Sequence, residues 1–340
     1  MKTIKVSTPW YHTDYYTHIP VESNNMQYRF TFNDEEKNCD YWVVWGGIKQ
    51  EKLETYCPPE NIIYLTDEVH DHRFFNKYFL NQFAAIITCR KDIQHRRVIP
   101  SHELNTWIID KTFTECLLGF PIEKTKSLSV VCSDHVWLQG HKDRFALVNK
   151  LIGHFKDKLD VYGRGFNEIK DKSAALIPYK YSIAIENSFI PGYFTEKLTD
   201  CFLAETLPLY YGCPDGENYF PPKSFERIEI KDYRRIIQQI EQIVEDDLYS
   251  QRLTDIKTAK SAYLDRLHIF SALPNIIQER FKGSPGKKIK CTIRNEQSFW
   301  SGQQVNNRIN KIFRALHLPG RFYFSIQRDQ SKLYANPPGK

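Results

Sequence analysis

Tyr181-Ser182-Ile183-Ala184-Ile185-Glu186-Asn187-Ser188-Phe189-Ile190-Pro191-Gly192-Tyr193-Phe194-Thr195-Glu196-Lys197-Leu198 runs from an apolar stretch through a polar Glu-Asn-Ser and a Pro-Gly turn into a helix start. Thr195 stands where an N-cap belongs, and Leu198, Cys201 and Phe202 follow at helical spacing. Leu207 to Tyr211 then reads as a second buried strand, ending at Gly212. Strand, loop, helix and strand make a βαβ unit, and such units place ligands at the C-terminal ends of their strands. The pattern therefore predicts an α/β fold with a site near Glu186 to Lys197.

The chemistry of that loop narrows the ligand. A helix N-terminus offers free backbone N–H groups and a partial positive charge, and Lys197 in the first turn adds a full one, a combination that suits a diphosphate. Glu196 is able to accept hydrogen bonds from sugar hydroxyls, and Tyr193 offers a flat ring with a polar tip. On the residues alone, Glu196 serves equally well to complement the helix dipole, with Lys197 a solvated surface residue. Both readings stay open at this level.

The pattern Glu-Asn-Ser, Gly-Tyr-Phe-Thr-Glu-Lys-Leu and Leu-Pro-Leu-Tyr-Tyr-Gly resembles the donor-binding motif of the α-1,3-fucosyltransferases, family 10 of the glycosyltransferases. A second ordered match lies upstream in Val131-Cys132-Ser133-Asp134, Asp143-Arg144-Phe145 and Asp160-Val161-Tyr162-Gly163-Arg164-Gly165. The likeness is strong from about Ser127 to Ile230, weaker from Asn61 to Trp107, and absent beyond Phe281. It implies a GT-B architecture of two facing Rossmann-like domains that binds GDP-fucose through Arg144, Asn187, Tyr193, Glu196 and Lys197, with Gly163 and Glu186 contributing. No metal or other cofactor is implied, since positive side chains and a helix N-terminus take the metal's place. Two alternatives stand beside this reading: a relative using another sugar nucleotide for lipopolysaccharide or capsule synthesis, and a catalytically silent glycan-binding protein.

Upstream, Asp40 to Gly47 and Asn61 to Thr66 read as aromatic and β-branched strands. The second delivers Asp67-Glu68 at its C-terminal end, where family members carry a general base, and order makes Glu68 the match. Many members follow that Glu with Ser-Pro or Pro. This chain has Val69-His70, which leaves Asp67 and His70 as competitors and a solvated acidic turn as the plain reading. Phe75 to Phe83 is expected as a helix and Ala84 to Cys89 as a strand, whereas residues 1 to 38 give little beyond an edge near Thr31 and Phe32.

Arg144 is expected in the first turn of a helix from Lys142 to Phe155, as the second cation for the diphosphate. Gly163-Arg164-Gly165 makes a tight turn that admits close backbone approach. Phe225 to Ile230 reads as a strand, Tyr233 to Glu245 and Leu248 to Phe281 as amphipathic helices, the latter returning to the first domain. Expected boundaries are an acceptor-side domain over 1–120, a donor-binding domain with its returning helix over 121–283, and a basic aromatic tail or appendage over 284–340.

The 340 residues, 41% hydrophobic and 14% aromatic, suffice for two buried cores. Eight scattered cysteines include no Cys-x-x-Cys, and the histidines lack ligand spacing, so neither a disulfide framework nor a metal site is indicated. Met1 to Val6 lacks the apolar core of a signal peptide and no run reaches membrane-helix length, which predicts a cytoplasmic protein of the bacterial type. From Ser284 onward eleven Lys and Arg face two acids, interleaved with aromatics. That tail suits an anionic membrane surface, an anionic glycan or packing as a small appendage, and no nucleic-acid motif accompanies it. The expected acceptor is an oligosaccharide or glycolipid.

Overall fold

The computed structural model describes residues 1–10, 14–20, 28–33, 36–67, 73–134 and 139–299. Its first unit contains β1 (Lys2–Ser7), β2 (Tyr28–Phe32), β3 (Tyr41–Trp45), β4 (Lys52–Cys57), β5 (Ile62–Leu65), the short helix α1 (Lys77–Leu80), β6 (Ala85–Thr88) and β7 (Val98–Pro100). Six of these strands form one parallel sheet in the order β2-β1-β3-β5-β6-β7. Every residue of β3, Tyr-Trp-Val-Val-Trp, is buried, as a strand covered on both faces requires. Strand order reverses between β1 and β3, which opens a crevice at their C-terminal ends.

A connection carrying α2 (Phe113–Leu118), closed at its N-terminus by a Thr112/Glu115 capping box, leads to the second unit. There β8 (Lys126–Val131), α3 (Gln139–Phe155), β9 (Leu159–Tyr162), β10 (Tyr179–Ile185), α4 (Glu196–Leu203), β11 (Leu207–Tyr211) and β12 (Glu226–Arg227) build a second parallel sheet, ordered β12-β11-β10-β8-β9. Its reversal lies between β8 and β10. The helices α5 (Tyr233–Glu245) and α6 (Leu248–Ala262) pack on this unit, whereas α7 (Ile269–Asn275) joins the core of the first. Last, β13 (Ile289–Arg294) pairs antiparallel with β4.

Several elements depart from expectation for identifiable reasons. β1 lies inside the first sheet although residues 1 to 38 looked uninformative: Lys5 interrupts its apolar run, yet Lys5 is buried with its ammonium on the Glu36 carbonyl, 2.7 Å away. The helix expected over Phe75 to Phe83 is a single turn, Lys77–Leu80, and the strand expected over Phe225 to Ile230 is only Glu226–Arg227. The long helix expected from Leu248 to Phe281 is divided by π-helical turns at Tyr263–Leu267 and Ile276–Phe281, by extended backbone at His268 and by Pro274, which lacks a backbone donor.

The two units meet at the C-terminal ends of their sheets. The Glu103 N–H donates to the Gly192 carbonyl at 2.8 Å, and the Asn105 side chain donates to the Phe194 carbonyl at 2.8 Å. The His102 ring stacks on Phe194 with centroids 5.2 Å apart. Two parallel α/β sheets with facing carboxyl ends, tied by a helix that returns to the first, constitute the GT-B architecture. Among the described residues, no helix is long and apolar enough to cross a membrane.

Candidate active site

The residues singled out in the second unit gather where its strand order reverses. β10 ends at Ile185 and hands on Glu186, whose buried carboxylate accepts from the Thr195 N–H at 2.7 Å and from the Thr195 hydroxyl at 2.8 Å. Thr195 caps α4 as its position predicted, its Oγ1 accepting from the Lys197 N–H at 3.4 Å. The Lys197 ammonium lies 2.9 Å from Glu196 and 3.6 Å from Glu186, with 22% of its side chain exposed. It is thus a clamped cation rather than a solvated surface lysine.

The electrostatics follow from that packing. Burial opposes the Lys197 charge, but Glu196 and Glu186 outweigh it and hold the ammonium more firmly protonated than usual. Burial likewise opposes the Glu196 carboxylate, yet Lys197 and Lys172 prevail and bring its pKa down to about 2. For Glu186 burial wins, and its pKa rises despite Lys197. The cluster therefore keeps Glu196 ionised as an acceptor for hydroxyl donors.

Arg144 reaches the same place from α3. The helix begins at Gln139, earlier than expected, so Arg144 lies in its second turn and not its first. Its guanidinium is buried, Nη1 donating to Asn187 Oδ1 at 2.8 Å, while Nε finds no hydrogen-bond partner among the described residues. Its charge works against that of Lys197, so the two cations share one electrostatic environment. Two glycines permit the convergence. A Cβ on Gly140 would lie 2.0 Å from the Asn187 carbonyl oxygen, and one on Gly163, at φ +115°, would lie 2.2 Å from that of Cys132.

Tyr193 is brought to the same loop but is 2% exposed. Glu68 lies outside the described residues, as does His70. Asp67, the chain neighbour of Glu68, is the second residue after β5 and pairs with Arg73 at 2.9 Å. Among the described residues, no group of three His, Cys, Asp or Glu side chains is placed to hold a metal ion.

Two charged residues at the site escaped the sequence reading. Lys172 donates from its ammonium to Asp200 and to the Glu196 carbonyl, each at 3.0 Å, which pins the first turn of α4. Burial raises the Asp200 carboxyl to about 6 despite Lys172. The available signal was Asp200 standing four residues after Glu196 on one helix face.

Residues 122–254 match the family described as glycosyltransferase family 10 (fucosyltransferase) C-term. An α-(1,3)-fucosyltransferase of Helicobacter pylori is 34% identical over 104 residues, 31% of this chain and 19% of that protein. Human 4-galactosyl-N-acetylglucosaminide 3-α-L-fucosyltransferase 9 is 39% identical over 83 residues, 22% of each chain. The chain thus spans about a fifth of the length of these curated relatives. A solved α1,3-fucosyltransferase superposes with a TM-score of 0.46 at 18% identity, over 79% of this chain and 92% of that one. Residues 122–254 thus carry the chain's likeness to the fucosyltransferase C-terminal domain of glycosyltransferase family 10.

Proposed function

We propose that the protein is an inverting, metal-independent fucosyltransferase that moves L-fucose from GDP-fucose to a hydroxyl of an oligosaccharide, in α-1,3 linkage to N-acetylglucosamine or glucose. The observation that carries this reading is the convergence of Arg144 and Lys197 at the reversal point of the second sheet, with the Arg144 Nε still able to donate. Both cations would hold the charge that develops on the departing diphosphate, the place where electrostatic stabilisation acts most strongly. Glu196, kept ionised, would accept from donor hydroxyls. Glu68, next to Asp67 at the carboxyl end of β5, would take the acceptor hydroxyl's proton as the oxygen attacks the anomeric carbon opposite the phosphate. A single displacement inverts that carbon.

The test is a panel of sugar nucleotides assayed for transfer and for hydrolysis, with the wild type beside Arg144→Ala and Lys197→Ala. GDP-fucose should be the preferred donor, and each variant should lower transfer by about tenfold to a thousandfold. Equal turnover of several unrelated sugar nucleotides would reject the donor assignment. Normal turnover in either variant would remove that residue from the site.

A further inference from the structure

The charged network behind α4 reaches the connection between the two units. Asp171 precedes the single turn at Lys172–Ala175 and caps it, accepting from the Ser173 N–H at 2.8 Å. On one side it is fastened to the chain that crosses from the first unit: Oδ1 also accepts from the Asp110 N–H at 3.0 Å, and Oδ2 lies 3.7 Å from the Lys111 ammonium. On the other side the Lys172 ammonium, its side chain 11% exposed, is shared between the Glu196 carbonyl and Asp200. Asp200 is fully buried, and its other oxygen accepts from the Ile108 N–H at 3.4 Å. Two carboxylates and one ammonium thus bond the connection to the helix turn that carries Glu196 and Lys197.

We propose that Lys172 is a positioning residue of the donor site, holding the first turn of α4 against the inter-unit connection through Asp200 so that Glu196 and Lys197 face the donor. This deepens, and rests on, the fucosyltransferase reading above. Three features separate it from generic packing. An ammonium beside the first turn of a helix opposes the helix dipole, so a neutral side chain would serve better if filling space were all that the position required. The ammonium meets a main-chain carbonyl and a carboxylate at once, which fixes the turn in place and does not merely neutralise Asp200. Lys172 also acts on the charge of the same turn: after Lys197, it is the second cation that keeps Glu196 ionised against burial.

The experiment uses the full chain with Lys172→Met and Asp200→Asn combined, which removes the pin and leaves the net charge of the cluster as it was. GDP should bind about tenfold or more weakly by calorimetry, and the KM for GDP-fucose should rise by a similar factor, as a small displacement of the first-turn residues entails. The KM for an acceptor containing N-acetylglucosamine should stay within about twofold, because the pin bears on the donor side of the cleft. Amide exchange should accelerate by about tenfold in peptides over 108–111 and 195–200, while peptides of β13 keep their rate. Wild-type GDP affinity in the double variant overturns the proposal, since charge balance alone then suffices. Equal rises in both KM values also overturn it, because they mark a general structural role. Should the double variant not fold, Asp200→Asn alone, which keeps the Lys172 bond to the Glu196 carbonyl, is the gentler change; it should weaken GDP binding by about threefold and speed exchange in the same peptides, and wild-type behaviour in both overturns the proposal. A wild type that binds no GDP and transfers no fucose defeats the functional reading instead, and exchange over 195–200 then decides the positioning role alone, an unchanged rate overturning it.

Discussion

Lowering the pH from 7 to 5 should loosen the junction between the two units, because three histidines are buried there uncharged. His18 and His268 both stack on Trp107, with ring centroids 4.2 and 5.1 Å away, while His102 donates to the Leu267 carbonyl at 2.7 Å. Burial pushes the His18 and His102 imidazoles down to about 4 from 6.5, Asp14 and the Leu267 contact respectively resisting. Burial, then the neighbouring His18 and His102, takes His268 down to about 3. A folded pKa below the unfolded one means that the unfolded chain binds more protons in between. The stabilisation is therefore complete above about 6.5 and is lost as the pH falls toward the folded values. At pH 5 each residue costs about 2 kcal/mol, or about 6 for the three, at roughly 1.36 kcal/mol per unit. Asp200 works the other way: raised to about 6 by burial, it binds its proton earlier when folded and returns roughly 1.4 kcal/mol at pH 5. The net loss of about 4 to 5 kcal/mol is a large share of a typical total of about 5–15 kcal/mol. Urea unfolding at pH 7, 6 and 5, followed by circular dichroism and by tryptophan emission, measures it directly. His268→Gln should remove about a third of the histidine contribution to the pH dependence. Equal unfolding free energies at pH 7 and pH 5 in the wild type would refute the reasoning.

Gly140→Ala places a methyl group against the Asn187 carbonyl, so α3 must shift and carry Arg144 with it; donor KM should rise by about tenfold or more, and an unchanged KM would show that the contact is slack. Glu68→Gln should depress kcat by about a hundredfold to ten-thousandfold with GDP affinity unchanged, while His70→Gln keeps its turnover, and the reverse result would move the base to His70. Dialysis against EDTA should leave transfer intact, since Arg144 and Lys197 are the groups assigned to the leaving charge. Activity that disappears and returns with manganese would assign that charge to a metal instead.

Local chemistry was readable in advance; long-range pairing was not. The Thr195 cap, the strands around it and the bounds of α5 at Tyr233–Glu245 all rest on side-chain period and capping within a few residues. The clustering of Arg144, Asn187 and Lys197 was legible only through motif likeness, because their approach depends on the register of β8 beside β10. Lys5, Lys172 and Asp200 defeated the reading for one reason: Lys5 and Asp200 are charged residues that pack inside and Lys172 is mostly covered, against the usual rule, because a specific partner meets each there. Glu296 sits in a stretch whose composition spoke only of positive charge. Nothing within its own neighbourhood points to Arg73, which it meets at 3.0 Å from 223 residues away.

The pairing of β4 with β13 has a consequence for biosynthesis. In that ladder Cys57 lies opposite Ile289 and Cys291 opposite Thr55, and the Cys291 thiol donates to the Cys57 carbonyl, 234 residues away, at 3.3 Å. At an elongation rate of about 5–20 residues per second, the ribosome needs roughly 10–50 s to make the intervening chain. Throughout that interval β4 emerges with its later partner missing, and an unpaired strand edge is a template for association with other nascent chains. The first unit is thus translated early but finished late. Stalled nascent chains ending before Ile289 should be cut at β4 by dilute protease, and those extended past Phe299 should be protected there.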